Sequence, residues 1–181
     1  MHKILPKYYY FIDRFNKDYI KNLNKNIAII FRKYNKKVDI DEINKIKNYC
    51  KLSGRKFFLS NNIRLALKLN LDGVYLPSFN KNIRINSYSK KTNFLVLGSA
   101  HNLKDIRIKE QQNIDLIFLA SLFNKKKTYL GLNKFKILKS KTKIKVIALG
   151  GIKKHNLNKL KLLNIYGFAA ISFFNSKKKG P

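Results

Sequence analysis

Carboxylates are scarce in this chain: 9 Asp and Glu stand against 40 Lys and Arg, a formal net charge of +31 over 181 residues. Hard cations such as magnesium prefer carboxylate oxygens, so the composition argues against a protein built around an acidic metal cage. The single cysteine, Cys50, cannot form an internal disulfide. Its place on an apolar helical stripe with Ile43, Ile46 and Tyr49 assigns it to core packing. No apolar run approaches the ~20 residues needed to span a bilayer, and MHKILPKYYYF lacks the order of a signal peptide. A soluble cytoplasmic protein with no membrane partner is therefore expected. Also missing are basic patches interleaved with stacking aromatics. The charge alone suggests a polyanion, but the lysines are spread over every segment beside many Asn and Ile. That trio is what A/T-rich coding imposes on tolerant surface positions. Solvated faces are thus preferred over a nucleic-acid partner, with a non-catalytic polyanion-binding protein as the alternative.

What is present is a 45% hydrophobic chain long enough for one domain with a sizeable core. Its most informative stretch is Lys145–Phe174, which reads strand, Gly-Gly turn, helix, strand. Val146–Leu149 is an apolar run too short for a buried helix, and Gly150-Gly151 ends it abruptly. Gly151 has no Cβ, so backbone amides can approach a ligand there, and a helix after Ile152 would aim its positive N-terminus the same way. An anion such as phosphate is the expected occupant. Phe168–Ser172 is predicted as the following strand, ending in a hydroxyl that suits the same anion.

Six further runs read as buried strands: Tyr8–Ile12, Asn26–Phe31, Lys56–Ser60, Val74–Leu76, Asn93–Leu97 and Asp115–Ala120. Gly98-Ser99-Ala100-His101 is read as the opening after the fifth of these. Helical segments are predicted near Lys17–Leu23, from Asp39 to Leu52, from Asn62 to Leu69, over Leu103–Gln112 behind an Asn102 cap, and around Leu132–Leu138. Asn80–Lys91 is polar and poorly patterned. Eight continuously apolar strands alternating with helices predict parallel pairing and closure into a short α/β (β/α)8 TIM barrel. The chain forms one barrel domain over 1–181, with 175–181 as a flexible tail and the last helix missing or vestigial. A doubly wound open sheet is the structural alternative, and it leaves the late Gly-Gly turn unexplained.

In a barrel, ligands bind at the C-terminal strand ends, and the loops after strands seven and eight are a frequent phosphate site. Residues at those ends are Asp13 and Arg14, Arg32, Ser60 and Asn61, Ser78 and Asn80, Ser99 and His101, Ser121, and Lys125 to Lys127. Hydroxyls, amides and cations predominate, which suits an anionic ligand. Asp72 and Asp115 precede strands and belong at the opposite mouth, capping turns. His101 is the histidine at a strand end and the candidate proton carrier; a loop histidine satisfied by backbone is the competing reading. His2 is terminal and His155 lies at an exposed helix start, and both are expected to be inert.

These segments resemble one family. LDGVYLP (Leu71–Pro77) is similar to its ADGVHLG, GSAHN (Gly98–Asn102) to GVSxH, and DLIFLASLF (Asp115–Phe123) to ADYVGLGPIF. VIALGGIKKHNL (Val146–Leu157) is similar to VAIGGI-x-x-x-N, and YGFAAIS (Tyr166–Ser172) to GVAVIS. Five such segments in the right order make the chain resemble the thiamine-phosphate synthase and TenI (thiazole tautomerase) barrels. It looks closest to a short, divergent TenI-like branch in which IIFRKYN (Ile29–Asn35) stands for a GVVFRHYG-type segment.

The resemblance implies a thiazole phosphate held by the Gly150-Gly151 turn and near Ser172, with Ser99, Arg32 and Lys127 as further phosphate- or substrate-binding residues. In the synthase, a pyrimidine diphosphate loses its diphosphate with magnesium help and is captured by the thiazole nitrogen. Of the synthase Gln-x-Arg-x-Lys pattern, the positions here are Ile30, Arg32 and Tyr34. Ser60 and Asn61 stand for Asn-Asp, Asn80 for a further aspartate, and Asn124 to Lys127 for Thr-x-Thr-Lys. The expectation is a TenI-like protein of thiamine metabolism, binding a small phosphorylated heterocycle and moving protons through His101. The alternative in the same pathway is an active synthase. No cofactor is expected, magnesium entering only where synthase activity is kept, and the oligomeric state, a homodimer included, is not specified.

Overall fold

Runs of aromatic and β-branched residues form the strands, because such side chains pack well on a pleated surface buried on both faces. In the computed structural model, which describes residues 3–34, 39–125 and 127–175, these runs are β1 (Tyr8–Ile12), β2 (Ile27–Phe31), β3 (Phe57–Ser60), β4 (Gly73–Leu76), β5 (Leu95–Ala100), β6 (Leu116–Ala120), β7 (Lys145–Leu149) and β8 (Gly167–Ala169). All pair in parallel in chain order, and β1 also pairs β8 through Tyr8↔Phe168 and Tyr9↔Ala169. The sheet is therefore a closed (β/α)8 barrel, and the open-sheet alternative is overturned.

The alternation of side chains sorts each strand into two cores. Inside the barrel lie Tyr9, Phe11, Ile30, Phe58, Tyr75, Leu97, Phe118 and Ile147, among others. Their rings meet edge to face, with centroids 4.9 Å apart for Tyr9 and Phe118, 5.3 Å for Phe11 and Tyr75, and 5.4 Å for Tyr75 and Phe118. The interior is a filled core and not a channel. The opposite strand faces pack on α1 (Lys17–Lys21), α2 (Ile40–Leu52), α3 (Ile63–Lys68), α4 (Leu103–Gln111), α5 (Gly131–Ser140) and α6 (Leu157–Lys161). Cys50 belongs to this outer core, and burial pushes its thiol up to about 12.

Asparagine punctuates this fold at both helix ends. Asn16, Asn62 and Asn102 cap α1, α3 and α4 by accepting a backbone N–H two or three residues into the helix. At the other end, Asn70, Asn113 and Asn164 take φ of 50°, 50° and 44°, the left-handed conformation that ends α3, α4 and α6. Each is followed by Leu or Ile and then the next strand. Arg55, 6% exposed, fastens α1 to the barrel, donating to the carbonyls of Ile20, Leu23, Asn24 and Ile27. Asp72 and Asp115 do lie at the N-terminal mouth, where their carboxylates accept from the Phe57 and Val96 amides at 2.9 and 2.7 Å.

Some boundaries differ from the sequence reading. β5 continues through Gly98-Ser99-Ala100 because Ala100 still pairs Leu119 in the ladder. After Ile152 comes a 3-10 turn, Lys154–Asn156, and only then the five-residue α6. Among the described residues no long helix points its N-terminus at the Gly-Gly turn. β8 stops at Ala169, and Ser172 instead opens α7 (Ser172–Asn175), the four-residue remnant of the eighth helix. The polar stretch 80–91 holds a 3-10 turn, Ile83–Ser87, anchored by buried Ile85. Of the stretch 175–181, read as a flexible tail, Asn175 ends α7 and residues 176–181 lie outside the described residues. No helix among the described residues is long and apolar enough to cross a membrane.

Candidate functional site

At the C-terminal mouth the loops after β6 and β7 lock together. Leu122 N–H donates to the Leu149 carbonyl and Phe123 N–H to the Gly150 carbonyl, both at 2.9 Å. Gly150 and Gly151 have φ of 105° and 73°, and a Cβ on them would stand 2.4 Å from Ser121 Oγ and 2.6 Å from Asn124 N. The glycines are required first by the chain's own loop, which presses against them. Asn156, 5% exposed, then pins the turn, its Oδ1 accepting from Lys153 N–H and its Nδ2 donating to the Gly151 carbonyl, both at 2.9 Å.

Beside this pinned turn opens a cavity of about 580 Å³, within the range of small-molecule sites. Its floor is apolar, from Leu149, Ile152, Ala169 and Ala170. Its polar lining is Asn124, Lys125, Lys153, His155, Asn156 and Lys159, with no carboxylate. A neighbouring cavity of about 240 Å³ shares Ile171 with the first and is lined by Asp13, Arg14 and Arg32. The Arg32 guanidinium sits 4.7 Å above the Phe11 ring, held at the mouth by a cation–π contact.

The structure unites Gly150 and Gly151 with the large cavity and puts Arg32 in the adjoining one. Lys125, not Lys127, is the lysine of its run that lines the cavity; Lys126 lies outside the described residues. Ser172 follows the cavity residue Ile171, and its side chain is outside what is described. Ser99 is buried at the top of the barrel interior, hydrogen-bonded to the Tyr75 hydroxyl, whose pKa burial raises against that bond. His101 lines neither cavity. Its Nδ1 lies 2.7 Å from the Ala120 carbonyl, which must accept, so Nδ1 is a donor and, in the neutral ring, Nε2 holds the lone pair. Its backbone N–H donates to Asp105 Oδ2 at 3.0 Å.

Sequence reasoning missed His155 as a cavity residue, together with Lys153, Asn156 and Lys159. Asn156 had a signal, as the asparagine of the Val146–Leu157 segment. The lysines had none, standing among so many others. Buried Lys109 was missed as well: its Nζ donates to the Pro77 and Asn80 carbonyls and to Gln112 Oε1 at 2.7 to 2.9 Å. It fixes the loop after β4, and burial lowers its pKa to about 8. Asn80 on that loop donates to Asn61 Oδ1 at 2.7 Å, and Ser60 Oγ meets the Tyr34 hydroxyl at 3.1 Å. Burial raises the Tyr34 hydroxyl, with the Ser60 bond opposing.

The positions where magnesium carboxylates would stand thus carry amides and hydroxyls that satisfy one another. Acids in the first turns of α2 and α4 also face this mouth, but Glu42 accepts from the Phe15 amide and Lys33, and Asp105 from His101. Among the described residues no three His, Cys, Asp or Glu side chains gather to hold a metal. The donor set fits magnesium poorly.

Comparison with known proteins agrees with this architecture. The family described as thiamine monophosphate synthase (TMP-TENI) matches residues 21–174. A thiamine-phosphate synthase of Pelagibacter ubique is 31% identical over 168 residues, covering 87% of this chain and 80% of that protein. One from Methanococcus vannielii is 28% identical over 121 residues, covering 64% of this chain and 58% of its own length. In Prochlorococcus marinus subsp. pastoris, identity is 30% over 146 residues, covering 78% of this chain but only 42% of the relative. The chain thus spans about half the length of some curated relatives. A solved thiamine phosphate pyrophosphorylase from Pyrococcus furiosus superposes with a TM-score of 0.75 at 21% identity, over 92% of this chain and 86% of that one. By sequence match over most of its length and by its closed barrel, the chain belongs to the thiamine monophosphate synthase (TMP-TENI) family.

Proposed function

We propose that the protein serves thiamine metabolism by taking a thiazole phosphate-type ester into the cavity beside Gly150-Gly151 and joining it to a pyrimidine diphosphate. The observation that carries the binding half is the cavity itself: Lys125, Lys153, His155 and Lys159 around it, an apolar floor for a heterocycle, and no carboxylate in the lining. The names of the sequence relatives support the transferase half. In that reaction the thiazole nitrogen forms a bond to the pyrimidine's methylene carbon, and the C–O bond to the departing diphosphate breaks. This chain's contribution is to orient the ester on the pinned turn and to set lysine charge where negative charge accumulates. Arg32, in the adjoining cavity, offers a further cation to the second substrate. Since the donor set suits magnesium poorly, no step is assigned to a metal.

A second reading, isomerisation of the thiazole ester by proton transfer, draws on the tautomer of His101, whose Nε2 is left as a base. Two assays on the purified chain separate the readings: formation of thiamine phosphate from both substrates, and isomerisation of the thiazole ester alone. Thiamine phosphate formation supports the transferase. Isomerisation abolished by His101→Ala supports the tautomerase. Absence of any thermal stabilisation by thiazole phosphate sinks both.

A further inference from the structure

We infer that the face at the N-terminal mouth of the barrel, opposite the cavities described above, docks the protein reversibly onto an anionic lipid surface. In a (β/α)8 barrel the last turns of the helices and the segments entering the strands converge on this face. Three hollows of about 390, 370 and 350 Å³ run across it. The first two share Gly54 and Lys56, and the second meets the third where Lys7 lies 5.9 Å from the centre of the Tyr166 ring. Lys51 lines the first, Lys7 and Lys25 the second, and Lys139, Lys143 and Lys145 the third. Among the described residues none of these lysines is in an ion pair. The acids at this end do not offset them, because Asp72, Glu110 and Asp115 are engaged by Lys56, Arg107 and Lys3 at 2.7 to 2.9 Å. The chain's remaining acids lie towards the opposite mouth, after β1 or at the beginnings of α1, α2 and α4.

Lysines in last turns complement the helix dipoles, which accounts for Lys51 and Lys139. The dipoles call neither for Lys7, Lys25, Lys143 and Lys145, which lie outside the helices, nor for bare aliphatic side chains among them. Yet the three most exposed large non-polar side chains of the described residues, Leu52, Ile4 and Leu162 at 89%, 84% and 65%, all lie at this end. Leu52 and Leu162 stand where α2 and α6 finish, and Ile4 precedes β1. Aliphatic groups projecting from a lysine field suit a lipid interface: the first are buried below the headgroups, and the second are drawn to anionic lipids. A nucleic acid calls instead for guanidinium forks and open aromatic faces. Here the cations are lysines, and the Tyr166 ring already carries Lys7 and Lys145, the latter at 4.9 Å, while its hydroxyl donates to the Leu5 carbonyl. The sequence expectation of no membrane partner rested on the lack of a spanning run, which a surface contact does not need. Docked in this way, the C-terminal mouth faces away from the lipid and stays open to solutes.

The test is co-sedimentation of the full chain with vesicles of phosphatidylcholine alone and of phosphatidylcholine mixed with phosphatidylglycerol, at low and at physiological salt. Lys25→Gln/Lys51→Gln/Lys139→Gln/Lys143→Gln is the face variant. Lys17→Gln/Lys81→Gln/Lys104→Gln/Lys134→Gln removes the same charge towards the other mouth as a control. Leu52→Gln/Leu162→Gln removes the aliphatic contacts and leaves the net charge unchanged. The expected result is binding to the mixed vesicles but not to phosphatidylcholine, weakening as salt rises. Each lysine held near such a surface is worth roughly fivefold in affinity, so the face variant should lose at least ~tenfold and the control less than ~threefold. The leucine variant should lose at least ~threefold, because apolar burial contributes beside the charge. All the substituted leucines and most of the lysines are exposed, so the melting temperatures of the variants should stay with the parent's. No binding to the mixed vesicles at physiological salt, or equal losses in the two lysine variants, overturns the inference. So does tighter binding of a single-stranded RNA, poly(U), that the leucine variant retains in full; that result assigns the face to nucleic acid.

Discussion

Replacing Asn156 by alanine removes the acceptor for the Lys153 N–H and the donor to the Gly151 carbonyl, two bonds of 2.9 Å from one side chain that is 5% exposed. A net intramolecular hydrogen bond contributes about 1 kcal/mol, and orphaning a buried partner costs about 1–3 kcal/mol. Gly151 is only half-buried, so solvent recovers part of its loss, and the sum is about 2–3 kcal/mol. For a chain of this length that lowers the melting temperature by roughly 4–12 °C. The Gly150–Lys153 turn also loses its fixed shape, so affinity for a phosphate ester falls by more than the stability loss alone accounts for. Asn156→Asp sharpens the point: its oxygen keeps the Lys153 bond but faces the Gly151 carbonyl without a donor and adds negative charge beside the cavity. It is expected to weaken anion binding more than alanine does. Thermal denaturation and thiazole phosphate calorimetry on both variants check this. An Asn156→Ala protein that melts within 1 °C of the parent and binds equally would refute the claim that this side chain holds the turn.

Lys109 gives a pH signature. Its folded-state pKa, about 8, lies below the ordinary 10.5, so the unfolded chain binds more protons between those values and stability from this residue rises with pH across the window. Compared with Lys109→Met, the parent should gain about 1–2 kcal/mol between pH ~7.5 and ~9.5 in urea unfolding; a flat difference refutes the burial argument. Gly98→Ala should cost about 1–3 kcal/mol, since a Cβ there would stand 2.8 Å from the Lys109 stem and 2.9 Å from Ile114, and a double cycle with Lys109→Ala should recover part of it. Arg55→Met strands the α1 carbonyls that Arg55 serves and should destabilise by about 3 kcal/mol or more. The melting curve checks it, and a shift under 3 °C would contradict the staple.

The strands were legible because parallel burial writes itself as unbroken apolar runs: Tyr8–Ile12 and the cores of the other seven appear directly in composition. The helix Leu103–Gln111 was legible together with its Asn102 cap, whereas the caps Asn16 and Asn62 emerged only from the structure. Strand ends were less so, since Gly98-Ser99-Ala100 looks like a loop by residue type and becomes strand only because β6 offers a ladder partner. The misplaced end of β8 has the same cause: its ladders end at Ala169 on both sides, against Tyr9 of β1 and Leu149 of β7, so the apolar run Ala170-Ile171 continues past them.

By itself, then, the sequence determined the alternation of eight buried strands with helices, the late Gly-Gly turn, and the scarcity of carboxylates. These are local or compositional properties, carried by residues close together in the chain. Which lysines out of so many share a cavity, that His155 faces it while His101 turns to the Ala120 carbonyl, and that Lys109 is buried were decided by the tertiary structure alone. Periodicity says which face of an element is buried. Barrel closure brings the ends of β6, β7 and β8 side by side, and that convergence over long sequence separations is what assembles the site.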